Sequence, residues 1–311
     1  MITEPQIAVH PENHPPATAP QDQAVLTRPS WIRAKAPDSA EVVRLTKMMR
    51  KHRLNTVCEA ANCPNLGECF SRGTATFMIM GEICSRNCPF CNVTHGTPTA
   101  PSSAEPKHLA GVISALSLNY VVITSVTRDD LNDGGAGHFV RCIEQIRLEN
   151  PSIKIEILVP DFRRDIGAAV QILGGNLPDV FNHNLETVHR LYAEARPGAD
   201  YHGSLNLLQK FQSCYPDIPT KSGLMVGLGE SDDEILKTMN DLLIHNCKML
   251  TIGQYLRPSR WHLPIRRYVN PEQFELYRVQ GLKMGFSHVE SGPLVRSSYH
   301  ADVQAGQFLE G

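Results

Sequence analysis

From residue 76 onward the chain alternates short runs rich in β-branched and aromatic residues with longer runs whose apolar residues recur every three or four positions. The short runs, at 76–81, 120–126, 153–160, 179–184, 219–229 and 250–254, read as strands. The long ones, at 104–118, 136–150, 165–173, 185–194, 231–246 and 271–284, read as amphipathic helices. About six βα units in series imply a parallel sheet with right-handed crossovers, an α/β chain of partial TIM-like (β/α)6 barrel type. Ahead of it, 38–52 places Val42, Leu45 and Met49 on one helical face, with Asp38 or Ser39 as the cap. The first 30 or so residues are rich in Pro, Ala, Gln and Thr without periodicity, which predicts a mobile tail. The expected organisation is a tail over 1–35, an N-terminal extension over 36–75, the barrel over 76–286 and a C-terminal segment over 287–311.

Composition narrows the function classes. Hydrophobic residues make up 41% and charged residues 20%, and the formal charge of -2 gives no signal for a polyanionic partner, so no nucleic acid is expected. A signal peptide would need a basic start leading into an apolar run, and a membrane span about 18 apolar residues; neither pattern occurs, which predicts a cytoplasmic protein. In a reducing compartment clustered cysteines read as metal or redox ligands, not disulfides. Six of the nine cysteines fall between Cys58 and Cys91. Cys142, Cys214 and Cys247 stand singly and are expected to be buried structural thiols.

The six form two ordered triplets, Cys58, Cys63 and Cys69 (C-x4-C-x5-C) and Cys84, Cys88 and Cys91 (C-x3-C-x2-C). Three thiolates on a cubane iron-sulfur cluster leave one iron without a cysteine of its own triplet, which is where chemistry can occur. A closed zinc site needs four ligands; Cys88 and Cys91 have zinc-ribbon spacing, but no second C-x2-C knuckle accompanies them. Parallel α/β folds bind ligands at the carboxyl ends of their strands. The second triplet follows the first barrel strand, 127–135 the second, 160–162 the third, 182–184 the fourth and 227–230 the fifth, so these loops should converge on one mouth.

Cys84-Ser-Arg-Asn-Cys88-Pro-Phe-Cys91 directly after a first barrel strand resembles the radical S-adenosylmethionine (SAM) superfamily, with Phe90 as the aromatic before the last cysteine. The resemblance implies a 4Fe-4S cluster whose open iron chelates SAM, and reductive cleavage of the sulfonium to methionine and a 5′-deoxyadenosyl radical. It further implies that Gly134 and Gly135 meet the methionine amino group and that Gly227 to Glu230 form a later SAM contact, although glycines there also serve tight turns. Asn182 and Glu186 are the candidates for the ribose hydroxyls, with helix capping as the alternative.

With the first triplet and the stretch Arg296-Ser-Ser-Tyr-His-Ala301 added, the chain resembles the lipoyl synthase family, over about 53–303 and including TSVTRDDL, LVPDFR, FNHNLETV, KSGLMVGLGE and LTIGQYL. It departs from the family pattern at Arg257, where Gln is common, and at Thr127, where Asp is common. The resemblance implies a second 4Fe-4S cluster on the first triplet, completed by Ser298, a hard oxygen ligand less firmly held than a fourth thiolate. It implies insertion of two sulfur atoms at carbons 6 and 8 of an octanoyl chain on a lysine of a lipoyl carrier domain, with the second cluster as sulfur donor. The carriers would be the glycine-cleavage carrier protein and the acyltransferase subunits of 2-oxo-acid dehydrogenases. An electron donor and an iron-sulfur carrier are implied as further partners, and a monomer is the default. Arg296 is a candidate to orient that cluster or help the serine leave, an ordinary salt bridge being the alternative. The basic stretch 257–267, including Arg260, Arg266 and Arg267, or the 44–53 helix face with Arg44, Lys47, Arg50 and Lys51, is expected to dock an acidic carrier. Alternatives are another sulfur-inserting radical SAM enzyme, such as a biotin synthase or methylthiotransferase, and a non-catalytic iron-sulfur scaffold; reductive SAM cleavage separates the last from the others.

Overall fold

The structure is a computed structural model that describes residues 26–33, 55–56, 65, 68–69, 72–163 and 165–309. The expected 38–52 helix and Cys58 and Cys63 lie outside the described residues. In chain order the elements are β1 (Asn55–Thr56), β2 (Thr74–Ile79), α1 (Glu105–Ala115), β3 (Tyr120–Ser125), α2 (Ala136–Glu149), β4 (Lys154–Leu158), α3 (Ile166–Leu173) and β5 (Val180–Asn182). There follow a 3₁₀ turn (His189–Leu191), α4 (Tyr192–Ala195), α5 (Tyr201–Cys214), β6 (Thr220–Val226), α6 (Asp232–Ile244), β7 (Met249–Gln254), α7 (Pro271–Met284), β8 (His288–Gly292) and α8 (Ala301–Leu309). Strand order in the sheet is the sequence order. β2 to β8 run parallel, and β1 adds an antiparallel edge, with Asn55 opposite Met78 and Thr56 opposite Phe77. The partial barrel expected from the alternating pattern is therefore the fold.

Local chemistry sets the helix starts. Ser231 caps α6 in a reciprocal box, its hydroxyl accepting from the Glu234 amide while the Glu234 carboxylate accepts from the Ser231 amide. Asp165 and Asn270 cap α3 and α7 in the same acceptor role, and Pro271 occupies the first turn of α7, where its missing N–H costs nothing.

The two faces of the sheet differ. One face packs its Val, Ile and Phe side chains against the surrounding helices in the main core, where the Phe181 and Phe211 rings stack at 3.7 Å. The other carries Tyr120, Val122, Val180 and Met249, and Ala301 and Ala305 of α8 pack onto it as a separate small cluster. On this inner face Lys221 Nζ lies 3.1 Å from the Glu156 carboxylate, both wholly buried. Tyr120 Oη (3.0 Å) and Asn182 Nδ2 (2.8 Å) also donate to Glu156. Burial pushes the Lys221 ammonium below its usual range and Glu156 opposes that shift. Removing one member of such a pair strands the other charge, at a cost of about 3–5 kcal/mol.

Three elements differ from the sequence expectation. The run 185–194 is not one helix: the Glu186 amide donates to Gly223 O and its carbonyl accepts from Met225, so the chain continues β5 alongside β6 before the 3₁₀ turn and α4. The following α5 was absent from the expected elements; its buried Ser204, Leu205, Leu208 and Phe211 recur at helical spacing, but Gly203 and Ser204 weaken its first turn. β8, with Val289 as its one fully buried residue, carries too little apolar alternation to read as a strand. Of the three single cysteines, Cys142 and Cys247 are buried as expected, while Cys214 is exposed at the end of α5. No helix among the described residues is long and apolar enough to cross a membrane.

His183 couples this packing to pH. Its Nδ1 lies 2.9 Å from Val159 O and its Nε2 2.9 Å from Ser204 Oγ, so the ring fits as the neutral tautomer donating from Nδ1. Burial, reinforced by Arg196, pushes its pKa down from 6.5 to about 4. The unfolded chain takes up a proton near 6.5 that the fold refuses, so stability present above that pH is lost as pH falls toward 4, by up to roughly 3 kcal/mol. In urea titrations at pH 7 and pH 4.5, the wild type should lose more stability than His183→Gln; equal losses would contradict the assignment.

Candidate active site

β2 ends where Met80 (φ +66°) and Gly81 (φ +92°) turn the chain away, and the loop that follows carries Cys84, Cys88 and Cys91. The loop closes on itself: the Cys84 amide donates to Thr94 O (2.8 Å), Gly96 N to Cys84 O (2.9 Å) and Cys91 N to Cys88 O (2.9 Å). It is then tied down on two sides. On one, the Ser85 amide (3.0 Å) and hydroxyl (2.9 Å) donate to Thr127 O after β3. Arg86 grips two carboxylates at once, Asp129 after β3 (2.7 and 2.8 Å) and Asp161 after β4 (2.6 and 2.8 Å). On the other, Leu263 N donates to Pro89 O (2.9 Å) and His262 Nε2 lies 3.1 Å from Cys91 O, which binds the loop after β7. Phe90 is half-buried against the main core.

Electrostatics match this enclosure. Burial works against the Arg86 cation, but its hydrogen bonds to Asp129 and Asp161 raise its pKa further above the usual range. Burial opposes ionisation of Asp161, and Arg86 overcomes it to hold the carboxyl below its usual value. The thiols shift the other way: burial pushes Cys88 up to about 11, partly offset by the positive charge of Arg196, and Cys91 up to about 12. Cys84 Sγ accepts from the Thr127 amide at 3.3 Å. No group of three His, Cys, Asp or Glu side chains among the described residues forms a ready-made ion site. The loop offers three soft donors whose thiol protons leave on binding, beside two guanidinium groups that offset thiolate charge, and this set suits an iron-sulfur cluster.

Around the loop the strand ends supply polar groups. Glu186, half-buried and at φ +70°, has its carboxyl pushed up by desolvation, with Arg196 opposing, and its charge raises the Cys88 thiol. Asn184 Nδ2 donates to Glu186 Oε1 and to Ser297 Oγ, both at 3.0 Å. Arg196 fixes this strand end by donating to Asn184 O (2.8 Å) and Tyr192 Oη (2.5 Å). Asn182 is placed elsewhere, its Nδ2 on Glu156 and its Oδ1 buried without a partner. The amide brought beside Glu186 is thus that of Asn184.

The glycines have backbone reasons to be glycine. Gly134 and Gly135 take φ +60° and +91° to start α2, and a Cβ on Gly135 would come within 2.5 Å of Met80 Sδ. Gly227 takes φ +105°, and a Cβ there would strike Gln254 Nε2 and Arg267 O. The Glu230 carboxylate accepts from the Gly227 (2.6 Å) and Leu228 (2.9 Å) amides, so it shapes its own loop.

Beyond β8 the chain returns to the mouth. Arg296 Nη1 donates to Val295 O beside Gly253 of β7, and Ser297 reaches Asn184. One residue past Ser298, Tyr299 Oη and then His300 Nε2 bond to Glu68, the residue before Cys69. Asn65 Nδ2 donates to Leu294 O (2.7 Å) and Arg72 pairs with Asp302 (3.1 Å), so the described part of the first-triplet segment lies along the 294–302 stretch. Burial raises the Tyr299 hydroxyl to about 12, and the charges contributing include Glu68 and Cys69.

Sequence reasoning missed Arg86, Asp129, Asp161, Asn184, Arg196 and Glu68. A signal existed for the first three: an arginine inside the cysteine loop faces acidic residues in two strand-end loops. Replacing Arg86 with Leu strands the Asp161 charge, whose residue is 5% exposed, and should cost about 3 kcal/mol or more in chemical denaturation. Arg86→Lys should recover less than half of that, since an ammonium cannot grip two carboxylates bidentately. Wild-type stability in Arg86→Leu would refute the tie.

Comparison with known proteins fits this geometry. The radical SAM superfamily profile matches residues 78–242. The lipoyl synthase of Syntrophotalea carbinolica is 68% identical over 288 residues, 93% of this chain and 93% of that protein. That of Klebsiella pneumoniae subsp. pneumoniae is 58% identical over 288 residues, covering 92% and 90%. Among solved structures, methylornithine synthase gives a TM-score of 0.52 at 15% identity, covering 82% of this chain and 79% of the other. SuiB of Streptococcus suis bound to S-adenosylmethionine gives 0.54 at 11%, covering 81% and 61%. At that identity the two structures speak for the fold alone, whereas the high identity across nearly the whole length means that the chain belongs to the lipoyl synthase family, within the radical SAM superfamily.

Proposed function

We propose that the chain inserts two sulfur atoms into an octanoyl chain carried on a lysine of a lipoyl carrier domain, at carbons 6 and 8. The observation that carries this reading is the meeting of three parts at one mouth. The second triplet lies on the loop after β2, the Asn184–Glu186 strand end lies beside it, and the Ser297–His300 turn joins that strand end to the segment of Cys69.

On this reading Cys84, Cys88 and Cys91 hold one 4Fe-4S cluster, and Cys58, Cys63, Cys69 and Ser298 hold a second. Bound there with SAM, these groups supply what acid–base chemistry lacks, a radical able to take hydrogen from an unactivated carbon and a sulfide to replace it. The protein's own part is positional. Arg86, Ser85 and His262 fix the cysteine loop against the loops after β3, β4 and β7. Glu186 offers a carboxyl and Asn184 its unpartnered Oδ1 to the SAM ribose, and the 134–135 and 227–230 turns let the backbone approach the cofactor closely.

The acidic carrier would dock on the basic loop after β7. Arg260 lies over the Trp261 ring at 4.6 Å, and Arg260, Trp261 and Arg266 are exposed. Arg267 is not part of that surface, because it pairs with Asp232 and Glu230. A reducing interior suits the free thiols, and a reductant and an iron-sulfur donor complete the partners.

Mass spectrometry of an octanoyl-lysyl peptide incubated with SAM, a strong reductant and the cluster-loaded protein tests the function. Gain of two sulfurs is expected; SAM cleavage without sulfur gain would reject it, and no SAM cleavage would favour an iron-sulfur scaffold. Replacing Cys58, Cys63 and Cys69 together with Ala should preserve SAM cleavage and abolish sulfur gain, and lipoyl product from that variant would remove the donor role of the first triplet. Charge reversal at Arg260 and Arg266 should weaken carrier binding about tenfold at low salt and flatten its salt dependence. Unchanged affinity at low salt would remove the docking assignment.

A further inference from the structure

Ser298 sits in a turn held at both ends by side chains from distant parts of the chain. On its N-terminal side, Ser297 Oγ accepts from Asn184 Nδ2 at 3.0 Å, and Asn184 is itself fixed through its carbonyl by Arg196. On its C-terminal side, Tyr299 Oη bonds to the Glu68 carboxylate at 3.3 Å and His300 Nε2 does so at 2.8 Å. The Tyr299 and His300 rings stack, with centroids 3.8 Å apart and planes at 22°, so they present both donors to one carboxylate together. His300 adopts φ +51°, a left-handed conformation that a non-glycine residue keeps only when its surroundings over-determine it. The turn is therefore held in place by its partners and not by its own backbone preference.

Glu68 is adjacent to Cys69 in the chain. A bond from Glu68 to Tyr299 and His300 therefore fixes the distance between a cysteine of the first triplet and the serine one residue before Tyr299. An oxygen ligand on a thiolate-preferring cluster is weak. Its occupancy then depends on how well it is pre-positioned, since ordering a free turn opposes binding.

We propose that Glu68 is a positioning residue that holds Ser298 on the auxiliary cluster through Tyr299 and His300, with the Asn184–Ser297 bond as the opposing anchor. The proposal rests on the reading of Ser298 as a cluster ligand. Weakening the Glu68 tie frees the serine, opens the cluster and raises its lability, while the second triplet, tied by Arg86, is untouched.

The test uses the full chain with both clusters loaded, as wild type, Glu68→Ala, Glu68→Gln, Ser298→Ala and Glu68→Ala/Ser298→Ala. Iron loss to an anaerobic chelator is followed, and SAM cleavage on the same samples reports the second cluster. Glu68→Ala should speed the loss of auxiliary iron about tenfold, the scale of one charge-assisted hydrogen bond, with SAM cleavage unchanged. Glu68→Gln, which keeps an acceptor for Tyr299, should do so less. In the double variant Glu68→Ala should add nothing to Ser298→Ala, because no ligand remains to be positioned. Wild-type iron loss in Glu68→Ala, or an effect that adds to Ser298→Ala, overturns the proposal alone. Wild-type iron loss in Ser298→Ala overturns the ligand reading and the proposal with it. Should Glu68→Ala also lose SAM cleavage, His300→Gln decides by the same two criteria.

Discussion

The mouth of this barrel depends on one guanidinium shared between two carboxylates. Arg86 lies inside the cysteine loop, and Asp129 and Asp161 lie at the ends of two different strands, so a single side chain sets the loop against both β3 and β4. A loop bearing three thiols has little apolar surface with which to pack itself. It needs specific polar ties, and in a buried setting such ties fix position well because breaking one leaves a charge without a partner. The Ser85 bonds to Thr127 and the contacts of Pro89 and Cys91 with Leu263 and His262 then complete a ring of loops around it.

The inner face of the sheet repeats this logic at greater depth. Glu156 accepts from Tyr120, Asn182 and Lys221, which come from three different strands, and so pins the spacing of β3 to β6 from within. Ala301 and Ala305 allow α8 to lie close on the same face. The C-terminal segment thus does two things in sequence. It lays the 294–300 stretch beside the residues around the first triplet, and then it fills the concave face that the open sheet would otherwise leave uncovered.

Much of this was legible in the sequence because it follows from periodicity and covalent order. The alternation of strands and helices yields the parallel sheet, and the cysteine spacing yields the two triplets. What was not legible depends on tertiary pairing. The 185–194 run has helical composition, yet Glu186 is drawn into extended pairing with Gly223 and Met225, and Asn184 meets it at the strand end while Asn182, two residues deeper, bonds to Glu156. Glu68 and His300 are 232 positions apart, and no local pattern marks their contact. β8 is visible only through its neighbour β7, since its own residues are mostly polar.

The two triplets are equivalent in the sequence as sets of three thiols, and the described surroundings of Cys69 differ from those of the second triplet. Cys84, Cys88 and Cys91 sit on a loop held by buried charge pairs and backbone bonds, and the proposed function assigns to it a cluster that persists through turnover. Cys69, half-buried like the cysteines of the second triplet, adjoins Glu68, whose side chain is 51% exposed and bonds the 299–300 turn, and the proposed function assigns this side to a cluster that opens. The most direct test of that division is a single turnover by protein whose clusters carry sulfur-34, in buffer free of labelled sulfide. Both sulfurs of the lipoyl product should be heavy, with SAM cleavage still active afterward; light sulfur in the product, or loss of SAM cleavage in step with product, would contradict it.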